Sequence, residues 1–187
     1  GWPQVRWVET RDPKLRQFAV NKDTMPFLIR PYVGTGPWVW EVVHPEWGER
    51  TVGNIDTAKA PSFMNDGLFD ADADNKIKGG FFFKNRLALF SDYTVSLSES
   101  GDLFNFFPTS IATLLPGDPV EVSVATDTAA PINFAIPWRE QVLLVSRTNQ
   151  HVLTSSGSVS VQSIEVTKAT NFEVSDVVPP VLSGSSI

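Results

Sequence analysis

The chain has 187 residues, 42% hydrophobic and 19% charged, which excludes a wholly disordered polymer and suffices for a packed core. With 21 acidic against 15 basic side chains its formal net charge is −6, which argues against a general electrostatic grip on nucleic acid or an anionic membrane. The absence of cysteine excludes disulfides, thiolate metal sites and cysteine nucleophiles, and the longest apolar runs fall far short of a membrane span.

The charge is unevenly spread. Residues 1–50 hold seven basic and six acidic side chains, a balance of +1, whereas residues 51–187 hold eight and fifteen, a balance of −7. Five of the six tryptophans, Trp2, Trp7, Trp38, Trp40 and Trp47, also precede residue 50. This divides the chain into a Trp-rich β region (1–55), an acidic surface excursion (56–80), a β-hairpin region (81–182) and a short tail (183–187). The opening Gly-Trp-Pro and the closing Ser-Gly-Ser-Ser-Ile read as cut ends, so the chain is expected to be a central piece of a longer protein.

In chain order, Trp38, Trp40 and Val42 alternate after a Gly34-Thr-Gly36-Pro37 turn, which predicts a strand with both tryptophans on one face. That face suits a core or an intersubunit contact better than a sugar-stacking platform. Asp70-Ala-Asp72-Ala-Asp74-Asn75 alternates carboxylates as a calcium loop does. Asn75 stands where the glycine turn belongs and Phe81 where the bidentate Glu belongs, so a solvated loop is the expectation. Lys78-Gly-Gly-Phe-Phe-Phe-Lys-Asn-Arg86 has the basic and aromatic residues of an RNA-binding strand. Its aromatics are consecutive, however, which predicts a strand buried on both faces.

Residues 85–101 echo residues 140–157: an apolar run ends in Ser, a polar turn follows, and a second strand closes on hydroxyl residues and Gly. Such hairpins predict blade-like repeats of a propeller in preference to a plain sandwich. Residues 109–114 are the one credible short helix, stopped by Pro116-Gly117. Residues 119–125 alternate cleanly, with Val120, Val122 and Val124 on one face. Residues 158–166 alternate and then slip phase near Gln162-Ser163, which predicts a β-bulge. The fold class is mainly β: antiparallel hairpins, propeller-like, with at most one short helix.

Catalytic signatures are missing. No nucleophile elbow, phosphate loop or metalloprotease helix can be found, and Gly34-Thr-Gly36 is a turn and not a dinucleotide loop. His44 and His151 stand isolated, which favours single satisfied or exposed histidines over a zinc site. No catalytic, cofactor-binding or metal residue is assigned; paired carboxylates, which are defined by spatial separation, stay open at this level.

An ordered series of segments carries more information. Phe81-Phe-Phe-Lys-Asn-Arg-Leu-Ala-Leu-Phe-Ser91 is followed by Leu97-Ser-Glu-Ser-Gly-Asp-Leu-Phe-Asn-Phe-Phe-Pro108 and Asp118-Pro-Val-Glu-Val-Ser-Val124. Then come Ala135-Ile-Pro-Trp-Arg-Glu-Gln-Val-Leu-Leu144, Gln150-His-Val-Leu-Thr154 and Phe172-Glu-Val-Ser-Asp176, with Met25-Pro-Phe-Leu-Ile-Arg30 and Pro61-Ser-Phe63 upstream. Together these resemble the tail nozzle family of short-tailed phages, the tail tubular proteins B, over about residues 24–182. The chain departs from the family pattern at Pro116-Gly-Asp118, where a run of Asp is usual, and matches poorly before residue 24.

The resemblance implies a virion structural protein and not an enzyme, made in the host cytoplasm, without cofactor or membrane insertion. It implies a ring of six subunits below the gatekeeper ring, contact with tail fibres, and DNA as passing cargo. The competing expectation is a carbohydrate-binding or polysaccharide-degrading β module. If the tube reading holds, an acidic wall would repel passing phosphate, with residues 56–78 and 118–127 as candidates.

Overall fold

The computed structural model describes residues 8–16, 18–32, 36, 39–64, 76–124 and 130–183. Among these residues, ten strands make three antiparallel sheets. β1 (Leu28–Tyr32) and β2 (Val39–Val43) form a two-stranded ribbon. β3 (Gly79–Phe83), β4 (Arg86–Phe90), β5 (Thr94–Leu97) and β6 (Val120–Ser123) form a four-stranded meander. β7 (Ile132–Trp138), β8 (Gln141–Ser146), β9 (Gln150–Ser155) and β10 (Ile164–Thr170) form a second one.

The sequence echo is the middle of each meander. β4–β5 and β8–β9 are its two copies, and their turns close alike: Ser91 N–H donates to Thr94 O at 3.0 Å, and Ser146 N–H to Asn149 O at 2.9 Å. Strand alternation then does what period 2 requires. Phe81, Phe83, Ala88, Phe90, Val95, Leu97 and Val120 from the first meander meet Ile132, Val142, Leu144 and Leu153 from the second in one shared core. Each such aliphatic or aromatic side chain contributes about 1.5–3 kcal/mol when fully removed from water.

Three expectations need correction. Phe82 is 66% exposed between the buried Phe81 and Phe83, so β3 buries one face only: Phe81 and Phe83 enter the shared core and Phe82 points the other way. Residues 109–114 form bends, not a helix: six residues are too few to repay helix nucleation without packing, and Ile111 and Leu114 stay exposed. A 3₁₀ turn at Lys22–Thr24 is instead the one helical element among the described residues. The phase slip near Gln162-Ser163 is a turn preceding β10, held by Ser163 Oγ, and not a bulge; the register shifts fall at Ile132/Phe134 and Lys168/Thr170.

Cations from β3–β4 clamp the two meanders together. Arg86 is 1% exposed, and its guanidinium donates to four carbonyls: Ser98 and Asp118 at 2.7 Å each, Val159 at 2.8 Å and Pro116 at 3.1 Å. Lys84 Nζ donates to Ser155 O at 2.7 Å, at the end of β9, and to Gly157 O at 2.9 Å, just beyond it. Lys78 Nζ reaches Ile132 O at 3.2 Å and pairs with Asp92. The basic residues of the supposed RNA-binding strand are therefore occupied within the protein.

Lys84 and Asn85, the two-residue link from β3 to β4, both have positive φ, 44° and 65°. That is the turn whose twist suits a hairpin, here built without glycine, so both residues are held where an L side chain is disfavoured. Asn85→Gly should raise stability by about 0.5–1 kcal/mol, whereas Asn85→Val should lower it by about 1–2 kcal/mol, both read from urea midpoints. Arg86→Met should cost about 3 kcal/mol or more, because several buried carbonyls lose their donor, and Arg86→Lys should recover only part of it.

Candidate functional site

The surface feature that stands apart is the β1–β2 ribbon. Its register pairs Leu28 with Val43, Ile29 with Val42, Arg30 with Glu41, Pro31 with Trp40 and Tyr32 with Val39. Alternation then places Ile29, Pro31, Trp40 and Val42 on one face. The other face carries Leu28, Val43, the Arg30–Glu41 ion pair at 2.5 Å, Tyr32 and Val39. On the first face Trp40 is 69% exposed, and Ile29 and Val42 are 62% exposed each. A two-stranded ribbon is marginal in water by itself, so a wholly apolar face left bare marks a contact surface.

Of the tryptophans expected there, Trp40 lies on this face, whereas Trp2, Trp7 and Trp38 lie outside the described residues. Trp47 is elsewhere. It packs edge-on to Phe104 at 5.3 Å and beside Phe106 at 6.2 Å, in a second small core with Met25 and Leu89. Gly48 permits that contact, since a Cβ there would lie 2.5 Å from Asn105 Oδ1 and 2.8 Å from Asn105 Cα.

Beside this second core runs an apolar groove of about 530 Å³, lined by Phe27, Trp47, Phe82, Leu87, Leu89 and Phe104, among others. Trp47 Nε1 is buried next to it with no hydrogen-bond acceptor. Sequence reasoning missed the groove. The available signal was Gly79-Gly80 ahead of the Phe run: Gly80 shares the groove face with Phe82, and a Cβ on it would sit 3.0 Å from Leu89 Cδ2 and 3.1 Å from Ala88 O.

The sugar-platform reading fails on chemistry. Among the described residues the neighbours of Trp40 on its face are Ile29, Pro31 and Val42, and Glu41 points to the opposite face, so no hydroxyl-binding group stands beside the indole there.

The remaining candidates scatter. His44 lies against Phe27, with ring centroids 4.5 Å apart, while His151 is buried in β9 at 2% exposure. Neither ring nitrogen of His151 has a hydrogen-bond partner, so it is not the satisfied or exposed histidine that the sequence suggested. Among the described residues no three metal-binding side chains gather. The Asp70–Asp74 loop and Asp127 lie outside the described residues. Of the other acids proposed to face passing DNA, Asp118 is buried behind the Arg86 hub, which removes it from any wall. Glu121 is exposed at the rim of a cleft of about 470 Å³, its carboxylate taking Ser62 N–H at 2.7 Å and Ser96 Oγ at 2.6 Å.

Two ionisations are displaced by burial. Desolvation lowers the Arg86 pKa, opposed by the nearby charges of Glu99 and Asp118, and the guanidinium stays protonated at neutral pH. Desolvation, aided by the cation of Lys168, which faces it across the β9–β10 pair, also lowers the His151 pKa.

Residues 3–187 match the bacteriophage nozzle protein family. The chain belongs to that family. It is also 35% identical over 166 residues to the tail tubular protein gp12 of Escherichia phage T7, covering 88% of this chain and 19% of that protein. The chain thus spans about a fifth of the length of that curated relative. Membership makes it a structural component of a phage tail, and the resemblance carried by Phe81–Ser91 and the segments after it is borne out. No described helix is long and apolar enough to cross a membrane.

His151 supplies a pH test. Its folded-state pKa lies below the ordinary value near 6.5, so below that pH the unfolded chain binds the extra proton. Stability should be flat above about pH 7 and fall as the pH drops through about 6.5 towards 5. His151→Leu should flatten that fall, as read from urea midpoints at each pH.

Proposed function

We propose that this chain is one subunit's share of a ring-shaped nozzle through which phage DNA leaves the virion, and that it works as a wall and not as an enzyme. The observation that carries the reading is the family match across residues 3–187. The bare apolar face of the ribbon supports assembly, since a ring subunit must keep contact area that it cannot bury alone. The six-fold ring, the gatekeeper ring and the tail fibres as neighbours belong to the same reading, as does a virion that receives the protein from the host cytoplasm.

The four-part division of the chain fits this role. The Trp-rich region (1–55) supplies contacts, the acidic excursion (56–80) supplies charge, and region 81–182 supplies the rigid frame before the tail (183–187). The two meanders, consecutive in the chain and sharing one core, are then neighbouring blades of a propeller-like architecture.

DNA is cargo here, and the charge suits it. A wall that offered Lys and Arg would hold phosphates by counterion release, and the cations of β3–β4 are instead turned inward on carbonyls. The test is made in phage. Virions carrying Asp56, Asp70, Asp72 and Asp74 all changed to Lys should assemble yet eject DNA more slowly. The difference should shrink as added salt shortens the screening length to a few Å, about 3 Å at 1 M. Ejection at the parental rate across the whole salt range would sink the acidic-wall mechanism.

A further inference from the structure

Asp118 joins the Arg86 hub through its main-chain carbonyl and leaves half of its carboxyl group unused. The residue is 4% exposed; Oδ2 takes Leu115 N–H at 2.7 Å, whereas Oδ1 is buried without any donor. A buried carboxyl oxygen left without a partner is costly, and nothing in the hub uses it. Sealed from solvent, Oδ1 has one electrophile within covalent reach, the carbonyl carbon of its own residue. That carbon is the acyl half of the bond to Pro119.

We propose that Asp118–Pro119 is a self-cleaving peptide bond, with the Asp118 carboxyl as internal nucleophile and Arg86 as the donor to the developing oxyanion. The reaction is a single turnover of the chain on itself and does not rest on the nozzle reading.

The atoms balance as a hydrolysis. Oδ1 of the carboxylic acid adds to the Asp118 carbonyl carbon and closes a five-membered ring of that carbon, Cα, Cβ, Cγ and Oδ1. The displaced electron pair goes to the carbonyl oxygen. Collapse breaks the C–N bond, and the Pro119 nitrogen takes the proton that the carboxyl gives up. The products are a cyclic anhydride at residue 118 and a free secondary amine at Pro119. One water then opens the anhydride to a C-terminal aspartate.

Three observations support this chemistry at this bond. Arg86 Nη1 donates to the Asp118 carbonyl oxygen at 2.7 Å, and the guanidinium is fixed by the carbonyls of Ser98, Pro116 and Val159. A cationic donor already held at the oxygen where negative charge develops is what acyl transfer requires. Pro119 has no N–H, so no ladder hydrogen bond resists its departure. Pro119 also lines the cleft of about 470 Å³, which gives water a route to the anhydride.

A cut there would not release the pieces. β6 stays paired with β5 from Leu97↔Val120 to Thr94↔Ser123, and the two meanders keep their shared core. The nicked protein should sediment as the intact one does and separate only in denaturant.

The chain carries its own comparison in Asp12–Pro13. There the carboxyl takes Lys14 N–H at 2.8 Å and the carbonyl takes Leu15 N–H at 3.0 Å, a neutral donor. Kept folded at mildly acidic pH, which supplies the acid form, the protein should give fragments 1–118 and 119–187 by denaturing mass spectrometry. Their rate of appearance should exceed cleavage at Asp12–Pro13 by about 100-fold, the factor that one oxyanion donor supplies. In urea, where Arg86 no longer meets the carbonyl, the two bonds should cleave alike. Asp118→Asn keeps an acceptor for Leu115 N–H and should abolish the cut at 118 while leaving that at 12 unchanged. Arg86→Lys should slow it by about tenfold with circular dichroism showing the fold retained.

An intact chain, equal rates at the two bonds in the folded protein, an unchanged rate at 118 in urea, or cleavage that survives Asp118→Asn would each overturn the proposal. The urea comparison uses the parent chain, so it decides the matter even where a variant fails to fold.

Discussion

The architecture hangs on a guanidinium. A buried cation is costly to desolvate, and Arg86 is stable at 1% exposure only because four carbonyls surround it and because Glu99 and Asp118 lie near. Those carbonyls belong to the end of β5, the 116–118 loop and the turn after β9. One side chain thereby joins both meanders and the crossing loop that precedes β6. Lys84 and Lys78 repeat the device towards Ser155, Gly157 and Ile132. The shared hydrophobic core supplies the adhesion between the sheets, and the three cations set how the sheets lie against each other.

Much of this was legible in the residues, and the rest failed for identifiable reasons. Alternation in 119–125 and the 85–101/140–157 echo gave β6 and the two central hairpins, because period 2 is a local property. The consecutive Phe81–Phe83 misled, since a run without polar breaks looks the same whether its outer face meets protein or solvent. Residues 109–114 had helical spacing, but a segment this short needs an apolar face packed on the core to stay helical, and Ile111 and Leu114 remain exposed. The intramolecular fate of Lys78, Lys84 and Arg86 was invisible for a similar reason, since their acceptors lie up to 73 residues downstream.

The candidate site was legible in part. The exposed Trp40 face followed from spacing and the expected turn, whereas the groove needed the fold, because its walls come from segments around residues 27, 47, 82 and 104. The one ionisable side chain lining the groove, Lys78, is engaged by Asp92 and the Ile132 carbonyl. The burial of Asp118 shows that net charge alone does not say which acids face outward.

The clamps also differ in what they demand of their two ends. On the donor side a particular residue is needed: a forked guanidinium at 86, an ammonium at 84 and at 78. On the acceptor side the groups are almost all main-chain carbonyls, which every amino acid carries. The accepting loops can therefore change their side chains freely as long as the backbone keeps its path. A short stretch of β3–β4 acts as a fixed fastener for surroundings whose sequence is left at liberty to drift.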